Sequence, residues 1–140
     1  MGLATRQQVR ILVREIYNDF GLEKSGSRDF GFKDQIQRAG ISIMNNIAEG
    51  FERNSKAEFA RFLDIARGSS GEVRSMYYTA QDLGYVTTEI AEKRKGLAKQ
   101  ISAGIKSLTT HLRGQGISIA EAETSEALDS VRLDTDDYHY

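Results

Sequence analysis

Apolar residues recur at steps of three and four along most of this chain, and no proline interrupts them anywhere in its 140 residues. This spacing places apolar side chains on one face of an α-helix. Because proline breaks helix interiors, its absence leaves glycine-rich stretches to separate one helix from the next. With 39% hydrophobic residues, the chain has enough apolar material for one core. Helices are predicted over about residues 4–20, 29–52, 56–83 and 88–113.

Short polar stretches mark the ends of these helices. Ser55 and Glu58 stand three residues apart and form a capping box, in which side chains satisfy free amides of the first turn. Gly84 follows the third helix and suits the left-handed backbone at a helix C-terminus. Four helices with short links predict an all-α, antiparallel up-and-down four-helix bundle over residues 1–116. The residues predicted to cap the second and fourth helices are Asp29 or Ser27, and Thr87 or Thr88.

The second helix has an apolar arc that is too wide for a single partner. Its apolar side chains fall on two neighbouring stripes that cover about half of the helix or more, whereas a surface helix needs an arc of roughly 100°. One stripe can face the chain's own bundle, and we expect the other to contact a second copy of the chain. The inner stripe consists of Phe32, Ile36, Ala39, Ile43 and Ile47. The predicted oligomer interface consists of Ile41, Met44, Ala48 and Phe51.

Composition and motifs argue against several classes of protein. The chain has no cysteine and two histidines, which excludes disulfides, iron–sulfur clusters and thiol nucleophiles and leaves us expecting neither metal nor cofactor. No apolar run approaches the roughly 20 residues of a membrane span, so we expect a cytoplasmic protein without a membrane partner. There is no P-loop, dinucleotide-binding motif or nucleophile elbow, and His111 lacks the glutamate three residues earlier that di-iron bundles use. We therefore expect a protein that is not an enzyme.

The formal net charge of −1 conceals two oppositely charged parts. Residues 1–113 carry 18 Lys and Arg against 13 Asp and Glu, whereas residues 114–140 carry one Arg against seven acidic residues. We treat residues 117–140 as an acidic tail, in which the pattern allows a short helix around Ser125–Leu133. The tail has three interpretations, in order of preference: it keeps an assembly soluble, it competes with nucleic acid for the basic body, or it docks onto a partner through its apolar residues.

Cations recur at helical spacing on three of the four predicted helices. Such rows neutralise phosphates and release counterions, which gives affinity for RNA or DNA without sequence specificity. Solvation of an ordinary bundle surface is the better explanation of each row taken alone, and it is the presence of three rows on a basic body that makes nucleic-acid binding an equal alternative. Tyr78 faces outward and is a better candidate for stacking on bases than Tyr77, which lies on the apolar stripe. The predicted nucleic-acid-binding residues are Arg6, Arg10, Arg14, Arg67, Arg74, Lys95, Lys99, Lys106 and Arg113.

Two further patterns have both a structural and a functional interpretation. The polar arc of the second helix suggests either a hydrogen-bonded network that fixes register, which we favour, or a small-molecule site. Gly68 and Gly71, with Ser75 beside them, interrupt the third helix where glycine is unfavourable, which favours close approach of another helix over access for a ligand. The predicted structural polar network consists of Arg38, Ser42, Asn45 and Glu49.

A series of segments from Gln35 onward follows the sequence pattern of a known family. The matching segments are Gln35-Ile36-Gln37-Arg38-Ala39, Ser42-Ile43-Met44-Asn45-Asn46-Ile47-Ala48-Glu49-Gly50, Arg53-Asn54-Ser55, Glu58-Phe59, Phe62-Leu63-Asp64-Ile65-Ala66, Gly68-Ser69, Glu72 and Leu83-Gly84-Tyr85. On these segments, the sequence over about residues 8–113 resembles the family of four-helix bundles encoded within intervening sequences of bacterial 23S ribosomal RNA. It departs from the family pattern at Gln37, where arginine is usual, and at Met44, where proline is frequent.

The resemblance implies an assembly and a class of partner. It implies a homopentameric ring, and kinship with the accessory protein of diversity-generating retroelements, a basic barrel that binds nucleic acid and a reverse transcriptase. Together with the cationic rows, it leads us to expect a homo-oligomer that binds RNA or DNA without sequence specificity, in association with ribosomal RNA or with a protein such as a reverse transcriptase. The alternative is a protein–protein interaction scaffold that has no role with nucleic acid.

Overall fold

The computed structural model describes residues 3–117, with side chains over residues 4–114. Within that range the chain forms four α-helices, and a short 3-10 helix at Ser25–Arg28 lies between the first two. The acidic tail and the short helix predicted within it lie outside the described residues, apart from Ile117. The helices are α1 (Leu3–Asp19), α2 (Phe30–Phe51), α3 (Lys56–Asp82) and α4 (Thr88–Ile117).

The predicted ends of the helices are confirmed to within a few residues. Asp29 caps α2 by accepting a hydrogen bond from the amide of Phe32, and Ser55 caps α3 by accepting one from the amide of Glu58. Thr87, rather than Thr88, caps α4 through the amide of Ile90 at 3.1 Å. Gly84 has a φ of +74°, as the end of a helix in the left-handed conformation requires.

Neighbouring helices run antiparallel, as contacts between them show. Along α3 and α4, Asp64 pairs with Arg113 at one end, Ser70 bonds the carbonyl of Ala98 in the middle, and Tyr78 contacts Lys95 at the other end. Along α1 and α4, Gln8 bonds Gln100, and Glu15 pairs with Arg94. Helix α2 lies between α1 and α3, since Gly40 faces Ile16 of α1 and Ser42 contacts Ser69 of α3. The order of the helices around the bundle is therefore α1, α2, α3, α4, with α4 closing back on α1, in an up-and-down arrangement.

The core is built from the predicted apolar stripes. Ile36, Ile43 and Ile47 of α2 are fully buried, and Ala39 nearly so, which confirms that the inner stripe of α2 faces the bundle. Helices α1, α3 and α4 contribute buried residues at the same three- and four-residue spacing, so the helical period seen in the sequence accounts for the whole core. The largest fully buried side chains from these three helices are Leu12, Ile16, Leu63, Tyr77, Ile101, Ile105 and Leu112.

The second stripe of α2 is half-buried within a single chain. Met44 and Phe51 pack against the core of their own bundle, and the Phe51 ring meets Phe59 edge-on with centroids 5.1 Å apart. Ile41 and Ala48 are partly exposed. The bundle therefore covers part of the surface that the sequence assigned to an oligomer interface, and Ile41 and Ala48 form its outermost part.

The expected helix contact at Gly68 and Gly71 is not made within the chain. Both glycines are exposed, and a β-carbon added at either would meet nothing within 4 Å. Close approach occurs instead at Gly104 of α4, where an added β-carbon would overlap the Thr5 side chain of α1. The sequence alone did not distinguish these positions, because exposed and buried glycines look alike in sequence.

Candidate nucleic-acid interface

Two of the three predicted rows of cations lie side by side on the outer surface of α3 and α4. Tyr78 contacts Lys95 near one end of this helix pair, and Asp64 pairs with Arg113 at 2.5 Å near the other. Residues spaced by four or seven along each helix remain on the face that carries these contacts. We call the resulting surface the cationic face. It consists of Arg67, Arg74, Lys99, Lys106 and Arg113, all exposed.

Lys95 does not belong to the cationic face, because its ammonium group is buried. Only 8% of its side chain is exposed. Its Nζ lies 3.7 Å from the centre of the Tyr78 ring and 2.8 Å from a carboxylate oxygen of Glu92. The cation–π contact and the ion pair hold the charge inside the helix pair. The same contact covers one face of Tyr78, so the predicted stacking residue is already occupied by Lys95 on that side.

Arg6 also falls outside any exposed row, since it is only 5% exposed. Each step of four residues rotates a position by about 40° around the helix axis, so Arg6 is turned about 80° from Arg14 and towards the buried side of α1. Arg10 and Arg14 remain exposed and line a groove of about 490 Å³ with Gln7 and Ile11. Because α1 lies diagonally across from α3, these two arginines lie away from the cationic face.

The predicted polar network of α2 does not form within the chain. Arg38 is highly exposed and pairs with Asp34 at 2.9 Å, while Glu49 pairs with Arg53 on the same helix. Asn45 is exposed, and the asparagine that bonds Ser42 is its neighbour Asn46. These side chains point outward because the polar arc of α2 lies opposite its buried stripe.

Among the four predicted network residues, all of which the structure describes, Ser42 is the one whose side chain forms a hydrogen bond to another helix. Its hydroxyl lies 2.8 Å from the hydroxyl of Ser69 on α3, and Asn46 donates to both its carbonyl and its hydroxyl oxygen. Around it, Tyr17 of α1 and Ile41 help to line a groove of about 400 Å³ on the outer side of α2. This groove brings the partly exposed Ile41 next to Arg38 and Asn45, so the predicted interface and the predicted network share one surface.

Sequence inspection missed the main polar cluster of the bundle, which centres on Asp19. The Tyr77 hydroxyl donates to Asp19 at 2.7 Å, and the Arg94 guanidinium donates to both carboxylate oxygens of Asp19 at 2.8 and 3.0 Å. Arg94 also pairs with Glu15 at 3.2 Å. The position of Tyr77 on an apolar stripe was a signal that could have revealed the cluster, because a buried tyrosine needs a hydrogen-bond partner for its hydroxyl.

Burial and charge explain the proton affinities in this cluster. Burial raises the pKa of Tyr77 well above its usual value, and the negative charge and hydrogen bond of Asp19 raise it further. The hydrogen bond to Asp19 likewise raises the pKa of Arg94. Tyr77 is therefore neutral and Arg94 charged at physiological pH, and the cluster ties α1 to α3 and α4. These contacts stabilise the packing of the three helices.

Within residues 3–117, none of the helices combines the length and apolarity that crossing a membrane demands. The same residues contain no group of three or more His, Cys, Asp or Glu side chains placed to hold a metal ion.

A family model described as 23S rRNA-intervening sequence protein matches residues 2–107. The chain belongs to the 23S rRNA-intervening sequence protein family. The match spans nearly all of the bundle, and α4 continues beyond it. No curated protein matches this chain significantly.

A solved structure shows the same fold. It is the 1.70 Å crystal structure of a protein of unknown function from the S23 ribosomal protein family of Bacteroides thetaiotaomicron, which superposes on this family member with a TM-score of 0.70. The two chains are 24% identical, and the alignment covers 75% of this chain and 97% of that one. At this identity the likeness establishes the four-helix fold and leaves function to be argued from the surface of this chain.

Proposed function

We propose that this member of the 23S rRNA-intervening sequence protein family is a non-enzymatic protein that binds RNA or DNA through the phosphate backbone, using the cationic face of α3 and α4. The observation that carries the proposal is the position of two rows of cations, one on α3 and one on α4. The sequence indicated each row separately, and the two rows lie next to each other on the outer surface of this helix pair. Lys99, Lys106 and Arg113 succeed one another at steps of seven residues, or about 10 Å, along α4. A phosphate backbone laid along the helix pair would meet a positive charge every two turns.

The glycines of α3 support the proposal that nucleic acid binds at this surface. Gly68 and Gly71 lie beside Arg67 and Arg74, and the space above both is open. An interior glycine costs about 1 kcal/mol relative to alanine, so two exposed glycines in one turn need a compensating use. Without side chains at these positions, a backbone can approach α3 closely between the arginines. Contacts of this kind position a nucleic acid without selecting its sequence.

We further propose that the chain assembles with copies of itself through the outer side of α2, as the family resemblance implies for a homopentamer. Ile41 and Ala48 remain partly exposed there, and Tyr17 is 47% exposed at the same groove. A ring of copies would repeat the cationic face around the assembly, and repeated weak contacts with one strand raise the overall affinity. Association with ribosomal RNA or with a reverse transcriptase is the biological setting that this resemblance suggests.

Binding of a fluorescent 20-nucleotide poly(U) RNA, measured by anisotropy over a range of salt concentrations, tests the proposed function. Phosphate binding predicts that the logarithm of the affinity falls linearly with the logarithm of salt, with a slope of several units. The double variant K99E/K106E should weaken binding at least tenfold and lower the slope by about 1.4 units, or about 0.7 for each lost contact with a phosphate of a single strand.

A matched control separates the cationic face from net charge. The variant K24E/K93E makes the same change in charge at two exposed lysines away from that face. It should alter the affinity by less than about threefold, because exposed charges beyond a Debye length of roughly 10 Å are screened. Equal losses in both variants, or an affinity independent of salt, would contradict the proposal.

The alternative is a scaffold for other proteins, and a specific observation favours it. Leu22, Phe30 and Leu83 are 88%, 74% and 54% exposed, and all three lie at the end of the bundle where α1 and α3 finish and α2 begins. Large exposed apolar side chains at one end of a bundle are typical of a contact with a protein. Failure to bind RNA at low salt, together with loss of a protein partner in L22S/F30S, would support the scaffold.

A further inference from the structure

Charge is unevenly distributed along the axis of the bundle. The contacts between Ser42 and Ser69, and between Ser70 and the Ala98 carbonyl, mark the middle of α2, α3 and α4. In α1 the corresponding level lies near Val13 and Ile16, which both face Gly40. We define the basic half as residues 3–12, 43–70 and 99–117, and the neutral half as residues 13–42 and 71–98.

The entire net positive charge of the bundle lies in the basic half. That half contains nine Lys and Arg against four Asp and Glu, whereas the neutral half contains nine of each. Two of the four acidic residues in the basic half are already paired, Glu49 with Arg53 and Asp64 with Arg113. The exposed cations of this half include Arg10, Arg61 and Lys106. It therefore presents an unbalanced positive field to the solvent.

The acidic end of the sequence is attached to this same half. Helix α4 runs to Ile117, and residues 118–140 follow it with seven Asp and Glu against one Arg. An extended chain spans about 3.3 Å per residue, so these 23 residues reach on the order of 75 Å. Helix α4, with 30 residues at about 1.5 Å each, is only about 45 Å long. Every cation of the basic half is thus within reach.

We propose that residues 118–140 lie against the basic half of their own chain and compete there with other polyanions. The charges are complementary in sign and similar in size, and covalent attachment gives the segment an effective concentration in the millimolar range. Four of the five residues of the cationic face, all except Arg74, belong to the basic half. The competing role rests on the proposed function, whereas the contact between segment and bundle stands independently of it.

Zero-length cross-linking of the full-length protein tests the contact directly. A carbodiimide joins a carboxylate to a lysine only when the two are in contact, and each half of the bundle offers three reporter lysines. At low salt, the carboxylates of residues 118–140 should couple at least fivefold more to the basic-half lysines than to those of the neutral half, and 0.5 M NaCl should abolish the preference. The reporters are Lys56, Lys99 and Lys106 in the basic half, and Lys24, Lys33 and Lys93 in the neutral half.

Two outcomes of cross-linking would overturn the contact. One is an even distribution of cross-links over the six lysines, or none from residues 118–140. The other is a cross-link between two copies. In a mixture of ¹⁵N-labelled and unlabelled protein, cross-links that join a labelled chain to an unlabelled chain would show that the segment contacts a different copy.

A charge-neutralised segment tests the competition. In the full-length variant E121Q/E123Q/E126Q/D129N/D134N/D136N/D137N, affinity for the poly(U) 20-mer should rise at least tenfold at low salt, and poly(U) should suppress the cross-links of the unmodified protein. Unchanged affinity would overturn the competition. If the cross-links form as expected and no variant binds RNA, the proposed function fails and the contact stands. If RNA binds and the cross-links are evenly distributed, the contact fails and the proposed function stands.

Discussion

The hydroxyl oxygen of Tyr77 lies 2.7 Å from Oδ2 of Asp19, and the Nε of Arg94 lies 2.8 Å from the same oxygen. Three helices thus meet at one carboxylate, since Asp19 ends α1, Tyr77 belongs to α3 and Arg94 to α4. Tyr77 is fully buried, and 9% of the Asp19 side chain is exposed. A hydrogen bond to a charged group in such a site is stronger than one between neutral groups. The cluster therefore makes a large contribution to the packing of α1.

The first prediction concerns stability at high pH. Tyr77→Phe should cost about 1.5–3 kcal/mol at pH 8, because the hydrogen bond to a charged acceptor is lost. The folded state holds the Tyr77 proton more tightly than the unfolded state, whose tyrosine pKa is about 10. Stability from this group is therefore complete below pH 10 and falls above it by up to about 1.4 kcal/mol per pH unit. Urea unfolding from pH 8 to 11.5 should show the gap between wild type and Tyr77→Phe shrinking above pH 10. A gap of constant size would refute the assignment.

The second prediction compares a buried and an exposed ion pair. Arg94→Met should destabilise the fold by about 3 kcal/mol, because it leaves the Asp19 carboxylate buried beside Tyr77 without its cation. Arg38→Met makes the same chemical change in a pair whose side chains are 80% and 64% exposed, and should cost less than about 1 kcal/mol. Chemical denaturation of both variants measures the difference. Similar costs would mean that solvent reaches the Asp19 cluster freely.

The third prediction uses two glycines of α4. Gly104→Ala should destabilise the fold by about 1–3 kcal/mol, because the new methyl group overlaps Thr5 and pushes α1 away. Gly96→Ala should stabilise it by about 1 kcal/mol, because the space around Gly96 is open and alanine favours the helix. The two variants share one helix and one chemical change, so thermal unfolding isolates the effect of the neighbour. Stabilisation in both would show that α1 packs less closely than the structure has it.

Local features of this fold could be predicted from sequence, whereas features that depend on register could not. The caps Asp29 and Ser55 act within one turn of their own helix, so the sequence around them carries the whole signal. The burial of Lys95 could not be predicted in this way, because it depends on a contact with Tyr78, which lies 17 residues earlier on another helix. The pairing of Asp19 with Arg94 likewise depends on the register of α4 relative to α1 along the bundle axis, which hydrophobic periodicity does not determine.

The candidate site shows the same division. Spacing by seven was sufficient to align Lys99, Lys106 and Arg113 along α4, because a step of seven residues rotates a position by only about 20° around the helix axis. Two steps of four along α1 were too coarse, since the rotation of about 40° per step turned Arg6 into the bundle. In α2, the choice between Asn45 and Asn46 as the partner of Ser42 rests on a difference of one residue, which only the packing against Ser69 of α3 decides.

The last prediction tests the proposed contact between copies on α2. Met44 packs against the core of its own chain, so a charge there would perturb folding as well as assembly. Ile41 and Ala48 are better positions, because both are partly exposed on the outer stripe. Ile41→Glu/Ala48→Glu should convert the oligomer into monomers while unfolding by denaturant changes by less than about 1 kcal/mol, since these side chains contribute little to the bundle itself. The control Ala103→Glu/Ser107→Glu adds the same two charges at exposed positions of α4, diagonally across the bundle from α2, and should preserve the oligomer. Light scattering gives the mass of each variant, and an unchanged mass in Ile41→Glu/Ala48→Glu would place the contact elsewhere on the bundle.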